Sequence, residues 1–251
     1  MLSGPELLTV VERGCSNCSG AELARASIIG KNEGLFRDIA LNELVRTRPE
    51  FLVRAEWDTP PEAFDRWTKL WPSDKRSKGI VDLSAVPLSD PFSQSPVLCA
   101  EFKLWYWFDL LDKSKYAPGG RDYHHLISQS FVMDATKLLA VMPETDGSRL
   151  IVAIVPTFHF DAIPTAEGQK RADYLTDRGF PKSYVRLSKV DSTTVSTSAA
   201  ELRATATQTL ADYLNRRGCP TIVGGGLTGT YRDLTVTTDF VVSEVPRTFQ
   251  A

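Results

Sequence analysis

The chain has 251 residues, enough for one large domain or two small ones with a well-buried core. It is 42% hydrophobic, 24% charged and 10% aromatic, which is ordinary for a globular protein. The net charge of −2 excludes the globally basic surface of a passive nucleic-acid coat, while leaving room for a local basic groove.

Residues 1–29 read as a helical or irregular lead-in. They lack the charged start and apolar run of a secretory signal, and no stretch of the chain approaches the ~18 apolar residues of a membrane helix. Cys15 and Cys18 form a CxxC, but no second pair completes a structural zinc site, and four cysteines make no disulfide framework. The expected compartment is the cytoplasm, with no membrane partner. An amphipathic helix follows over 32–47. Asn32 stands at its cap position, Leu35, Phe36, Ile39, Ala40 and Leu44 recur at helical spacing, and Pro49 ends it. FLVRAEW (51–57) reads as a strand, and 58–78 as a polar connection containing Trp and Pro. KGIVDLSAV (78–86) is a short strand, 88–96 a loop, and VLCAEFKLWYW (97–107) a longer strand. After a polar loop over 109–121, a helix runs from Tyr123 to Met142, and RLIVAIV (149–155) is an apolar strand.

The order is thus helix, strand, strand, strand, helix, strand. Residues 157–195 mix short helical and extended pieces, and 192–200 read as a polar link. Ser198 with Glu201 has the spacing of a capping box for a helix reaching Arg217, closed by Gly218. GGGLTG (224–229) fits G-x-G-x-x-G only literally. A strand-like run follows it instead of a helix, so it reads as a glycine turn. No Walker lysine is present, so no nucleotide cofactor is expected. DLTVTTDFVV (233–242) alternates like a half-buried strand. No internal repeat or boundary divides the chain. The expectation is a single α/β domain over 1–251, with a core over 30–157 and a C-terminal extension over 158–251.

Strand geometry singles out three residues. Side chains two apart share a face about 7 Å apart, so Glu101 and Lys103 lie together, opposite Ala100, Phe102, Leu104 and Tyr106. On the preceding strand Asp82 lies opposite Val81, Leu83 and Ala85. If the two strands are neighbours, Asp82, Glu101 and Lys103 converge. Two carboxylates can hold a hard divalent cation through oxygen, and a lysine can orient a water or stabilise charge on a phosphate. Cys99 and Trp105, on the same face as the acid and the lysine, are apolar, which speaks for a covered or ligand-facing surface.

Asp82, followed nineteen positions on by Glu101-Phe102-Lys103, resembles the signature of the PD-(D/E)XK nucleases. The resemblance covers residues 30–157, about half the chain, and includes the element order. It departs at Val81, where the family has proline, and at Met133, where the RecB-like branch has tyrosine four residues after a glutamine; Gln129 is present. It implies a restriction-endonuclease-like αβββαβ core with a mixed central sheet flanked by helices. It further implies an Mg²⁺- or Mn²⁺-dependent endodeoxyribonuclease of the restriction or phage-defence kind, with DNA as partner and a homodimer as the assembly. Asp82, Glu101 and the Phe102 carbonyl would hold the metal, and Lys103 would act on the water or phosphate. The family often adds an acid on the first helix, here Glu33, with Glu43 second. Lys75, Arg76, Lys78, Trp105 and Gln129 would contact nucleic acid, and the C-terminal extension would recognise DNA or dimerise. Trp57, Trp67 and Trp71 interleave with the basic run at 74–78, though tryptophans in such a segment equally pack on the core. The rival reading is a non-catalytic binding or interaction module on the same fold.

Overall fold

Two short helices open the chain, each started by local chemistry. In the computed structural model, which describes residues 2–28, 32–70, 79–106, 123–143, 146–160, 192–231 and 234–250, Glu6 accepts the Ser3 amide at 2.8 Å as α1 (Gly4–Ser16) begins. Ser19 and Glu22 bond reciprocally at the start of α2 (Gly20–Ile28), at 3.2 and 3.1 Å. The next helix, α3 (Glu33–Thr47), lies where its periodicity predicts. Asn32 does not cap it through its side chain, whose amide donates to the Ala26 carbonyl at 2.9 Å.

The strands are β1 (Phe51–Asp58), β2 (Ile80–Pro87), β3 (Leu98–Leu104), β4 (Ser148–Phe160), β5 (Thr221–Tyr231) and β6 (Leu234–Glu244). They form one mixed sheet in the order β1-β2-β3-β4-β6-β5. Only β3 and β4 are parallel; the other neighbours are antiparallel. A parallel pair needs a long crossover, and α5 (Tyr123–Val141) lies within that connection. The expected order of helix, three strands, helix and strand is therefore present as α3, β1, β2, β3, α5 and β4.

Three sequence expectations are corrected. The connection after β1 contains a helix, α4 (Pro61–Leu70), in which proline suits the first turn and Ala63 and Trp67, one turn apart, are buried. The supposed polar link belongs to α6 (Ser192–Arg216), so Ser198 is inside a helix instead of capping one. Its end is as expected: Gly218 takes φ +76°, and the Cys219 amide donates back to the Leu214 carbonyl at 3.1 Å. Third, GGGLTG is no turn. It lies within β5 and carries a bulge between Gly225 and Leu227. Gly225 has φ +108°, and a Cβ there would stand 2.6 Å from the Asp239 Cα, so only glycine fits.

Helices cover both faces of the sheet. On one, Leu7, Val11, Phe36 and Leu44 from α1 and α3 pack against Leu83, Ala100, Phe102, Val152 and Phe240. On the other, Ala63, Phe131, Ala135, Leu138, Ala206 and Leu210 from α4, α5 and α6 pack against Val81, Cys99, Ile151, Ala153 and Val241. Because β6 pairs with β4 from Leu150–Glu244 to Phe160–Leu234, the C-terminal segment completes the same sheet. Among the described residues, no helix is long and apolar enough to cross a membrane.

Candidate functional site

The site forms where β2 leaves its neighbours. The β2–β3 register runs through Ala85–Leu98, Ser84–Cys99 and Leu83–Ala100, and Asp82 has no partner in it. On the other side, the β1–β2 register passes from Ala55–Leu83 to Trp57–Val81 and omits Glu56 and Asp82. Glu56 takes φ +49°, a strained value for a residue other than glycine. This irregularity frees Asp82 from both ladders. Its carboxylate turns toward β3 and accepts the Phe102 amide at 2.8 Å. It is also why Val81 packs on a different face from Leu83 and Ala85, against strict alternation.

From β3, Glu101 and Lys103 project toward α5, where Asp134 and Lys137 stand one turn apart. Lys137 Nζ lies 2.6 Å from Glu101 Oε1 and 3.9 Å from Asp134 Oδ1, and donates to the Ile80 carbonyl at 3.0 Å. Lys103 Nζ lies 3.2 Å from Asp134 Oδ2. Glu33, at the start of α3, accepts the Leu104 amide at 3.0 Å. Among the described residues, four carboxylates therefore surround two ammonium groups, an excess of two negative charges when all are ionised.

Burial and charge decide how these groups titrate. Burial pushes the Glu101 carboxyl up to about 8. Lys137 opposes that rise, and the Asp134 and Asp82 carboxylates add to it. Asp134 is likewise raised by burial against the pull of Lys103 and Lys137. For Lys103 burial favours the neutral amine, but Asp134, Glu101, Glu33 and Asp82 outweigh it and hold the ammonium charged. Lys103 is thus a fixed positive charge and donor at neutral pH, not a base. Glu101 and Asp134 are 1% exposed, whereas Asp82 and Lys103 are only part-buried, so the cluster opens on the Asp82–Lys103 side.

Of the residues expected from sequence, Asp82, Glu101, Lys103 and Glu33 come together here. Phe102 has its ring in the opposite core and its amide bound by Asp82. Glu43 stands apart, paired with Arg46 at 2.6 Å and Arg13 at 3.8 Å. Gln129 is exposed; it precedes Asp134 by five residues, about 140° around the helix. Trp105 is buried in the core of the α5 face, and Trp67 is buried as well, which leaves neither ring open for stacking. Trp57 is partly buried against that core. Lys75, Arg76, Lys78 and Trp71 lie outside the described residues. Cys15 is buried, and burial pushes its thiol up to about 12, which suits an inert side chain better than a metal ligand. Sequence reasoning missed Asp134 and Lys137. The available signal was an acid and a lysine three apart within the largely apolar FVMDATKLLA.

The donors suit a hard divalent cation chemically: all are carboxylate oxygens, and they outnumber the ammonium groups. Glu101 Oε1 and Asp134 Oδ2 are buried and accept no hydrogen bond of favourable angle, although ammonium groups stand close. As arranged, no three His, Cys, Asp or Glu side chains among the described residues stand at metal-holding spacing. The ammonium groups lie among the carboxylates. No family model, curated protein or solved structure matches the chain.

Proposed function

We propose that the protein is a metal-dependent endodeoxyribonuclease of the PD-(D/E)XK type, a restriction or phage-defence enzyme. The observation that carries this reading is the meeting of Asp82, Glu101 and Lys103 where β2 parts from β3. The order α3, β1, β2, β3, α5, β4, with β4 parallel to β3, supports a restriction-endonuclease-like core. Asp82 and Glu101 would hold Mg²⁺ or Mn²⁺, with the Phe102 carbonyl as a further oxygen. The ion, when bound, supplies polarisation of the phosphate and acidification of a water. Lys103, kept charged by its carboxylate neighbours, orients that water or stabilises charge on the phosphate, and does not take its proton. Glu33 joins the site to α3 through the Leu104 amide and contributes negative charge beside Lys103.

The paired state of the cluster favours one rival, a non-catalytic module in which the same ion pairs are purely structural. The deciding experiment is cleavage of plasmid and phage DNA by wild type and Lys103→Ala, with Mg²⁺ or with EDTA. The nuclease reading expects metal-dependent cutting that falls by about 100-fold or more in the variant. Absence of cutting across several DNA and RNA substrates, with a folded wild type and metal present, would favour the binding module. Discrete bands would identify a sequence-specific enzyme, for which a homodimer is the expected assembly.

A further inference from the structure

Lys137 has no part in the reading above, yet its ammonium occupies a position built for a cation. Among the described residues, three oxygens face it: Glu101 Oε1 at 2.6 Å, the Ile80 carbonyl at 3.0 Å and Asp134 Oδ1 at 3.9 Å. The side chain is 10% exposed, so solvent contributes little to balancing these charges. Two carboxylates and a backbone carbonyl are also the ligand types that hard divalent cations select. An ammonium and a divalent ion cannot share one such cage, because their repulsion at a few ångströms is large inside a protein. Asp134 belongs to the same cage. Its second oxygen faces Lys103, is buried, and accepts no hydrogen bond of favourable angle.

We propose that α5 completes the cation site: Asp134 is its third carboxylate, and Lys137 is a resident cation whose ammonium an incoming divalent ion must displace from beside Glu101. This deepens the nuclease reading and rests on it for the presence of a cation. It explains why the carboxylates are not gathered at metal-holding spacing while Lys137 stands among them. Displacement leaves the Lys137 ammonium one helical turn from Asp134, free to turn toward the opening beside Lys103. Lys137 thereby lowers the affinity for the ion while keeping two buried acids paired when no ion is bound.

The test is Mn²⁺ binding to the full chain, followed by calorimetry and by the electron paramagnetic resonance of free Mn²⁺, with no nucleic acid present. Lys137→Gln removes the competing charge and is expected to bind Mn²⁺ about tenfold or more tightly than wild type. Lys137→Arg keeps the charge and should bind as weakly as wild type. Asp134→Asn, with Lys137 intact, should bind at least about tenfold more weakly. Circular dichroism establishes that each variant is folded. Should Lys137→Gln fail to fold, Asp134→Asn decides the matter alone. Unchanged or weaker binding by folded Lys137→Gln, or unchanged binding by Asp134→Asn, overturns the inference while leaving a cation site in place. Absence of Mn²⁺ binding in wild type and Lys137→Gln alike overturns both this inference and the metal-dependent reading.

Discussion

Replacing Glu101 with glutamine separates the two forces acting on that residue. Burial disfavours its charge, while the Lys137 ammonium at 2.6 Å favours it. The folded carboxyl titrates at about 8 against an ordinary 4.5, so burial wins. A raised folded pKa means that the native state keeps a proton which the unfolded chain has released. The stability that this proton confers is complete below pH 4.5 and is lost as pH rises toward 8. At about 1.4 kcal/mol per pH unit, the loss across the window is on the order of several kcal/mol. Glutamine has the shape of the protonated acid and does not titrate. In EDTA, urea unfolding followed by tryptophan fluorescence should give the two proteins stabilities within about 1 kcal/mol of each other near pH 4.5. The variant should then gain on wild type with each pH step up to 8, and the difference should level off above. A difference that shrinks or reverses over that interval would mean the ion pair outweighs burial, and the account of Glu101 would fail.

Other consequences are simpler to read. Glu43 is the opposite case. Its bond to Arg46 holds it below the ordinary glutamate value, so its contribution is complete above pH 4.5 and fades on acidification. Glu43→Gln should flatten the acid limb of the stability profile. Phe36 and Phe240 meet edge to face at 6.1 Å and are fully buried, so either alanine variant should cost about 3–5 kcal/mol by urea midpoint. Arg203 donates twice to the buried Asp239, whose carboxylate also accepts the amide of Gly226 in the β5 bulge. Arg203→Ala should lower stability by about 2 kcal/mol without changing Mn²⁺ affinity. If the basic run ahead of β2 contacts phosphate, replacing Lys75, Arg76 and Lys78 together with alanine should reduce the slope of DNA affinity against salt by up to about 3, measured by fluorescence anisotropy.

How much could be read from the sequence depended on how local each signal was. The shared face of Glu101 and Lys103 was legible because strand alternation is a two-residue rule that β3 obeys, whereas β2 breaks it at Val81. The detail that places Asp82, its release from both ladders opposite the strained Glu56, arises between strands and leaves no mark within one. Asp134 and Lys137 were missed for a related reason. An acid and a lysine three apart look like a surface ion pair until the helix face is known to lie on Glu101. The glycines of β5 misled because the same residues serve turns and bulges, and only the neighbouring Asp239 distinguishes the two. The Ser/Thr-rich start of α6 has weak helix propensity residue by residue, so its helix is set by context instead of composition.

The position of β4 has a consequence for biosynthesis. This strand lies at the middle of the sheet, and residues 150–155 are buried on both faces. One of its edges is met by β3, which precedes it in the chain. The other waits for β6, eleven residues of which must still emerge from the ribosome after α6 and β5. A nascent chain that already carries Asp82, Glu101, Lys103 and Lys137 therefore presents a long apolar strand edge with no partner. Maturation of the site and protection of its central strand are separated in time. The interval between them is when the growing polypeptide most needs a chaperone, and when an arrested or truncated product would aggregate.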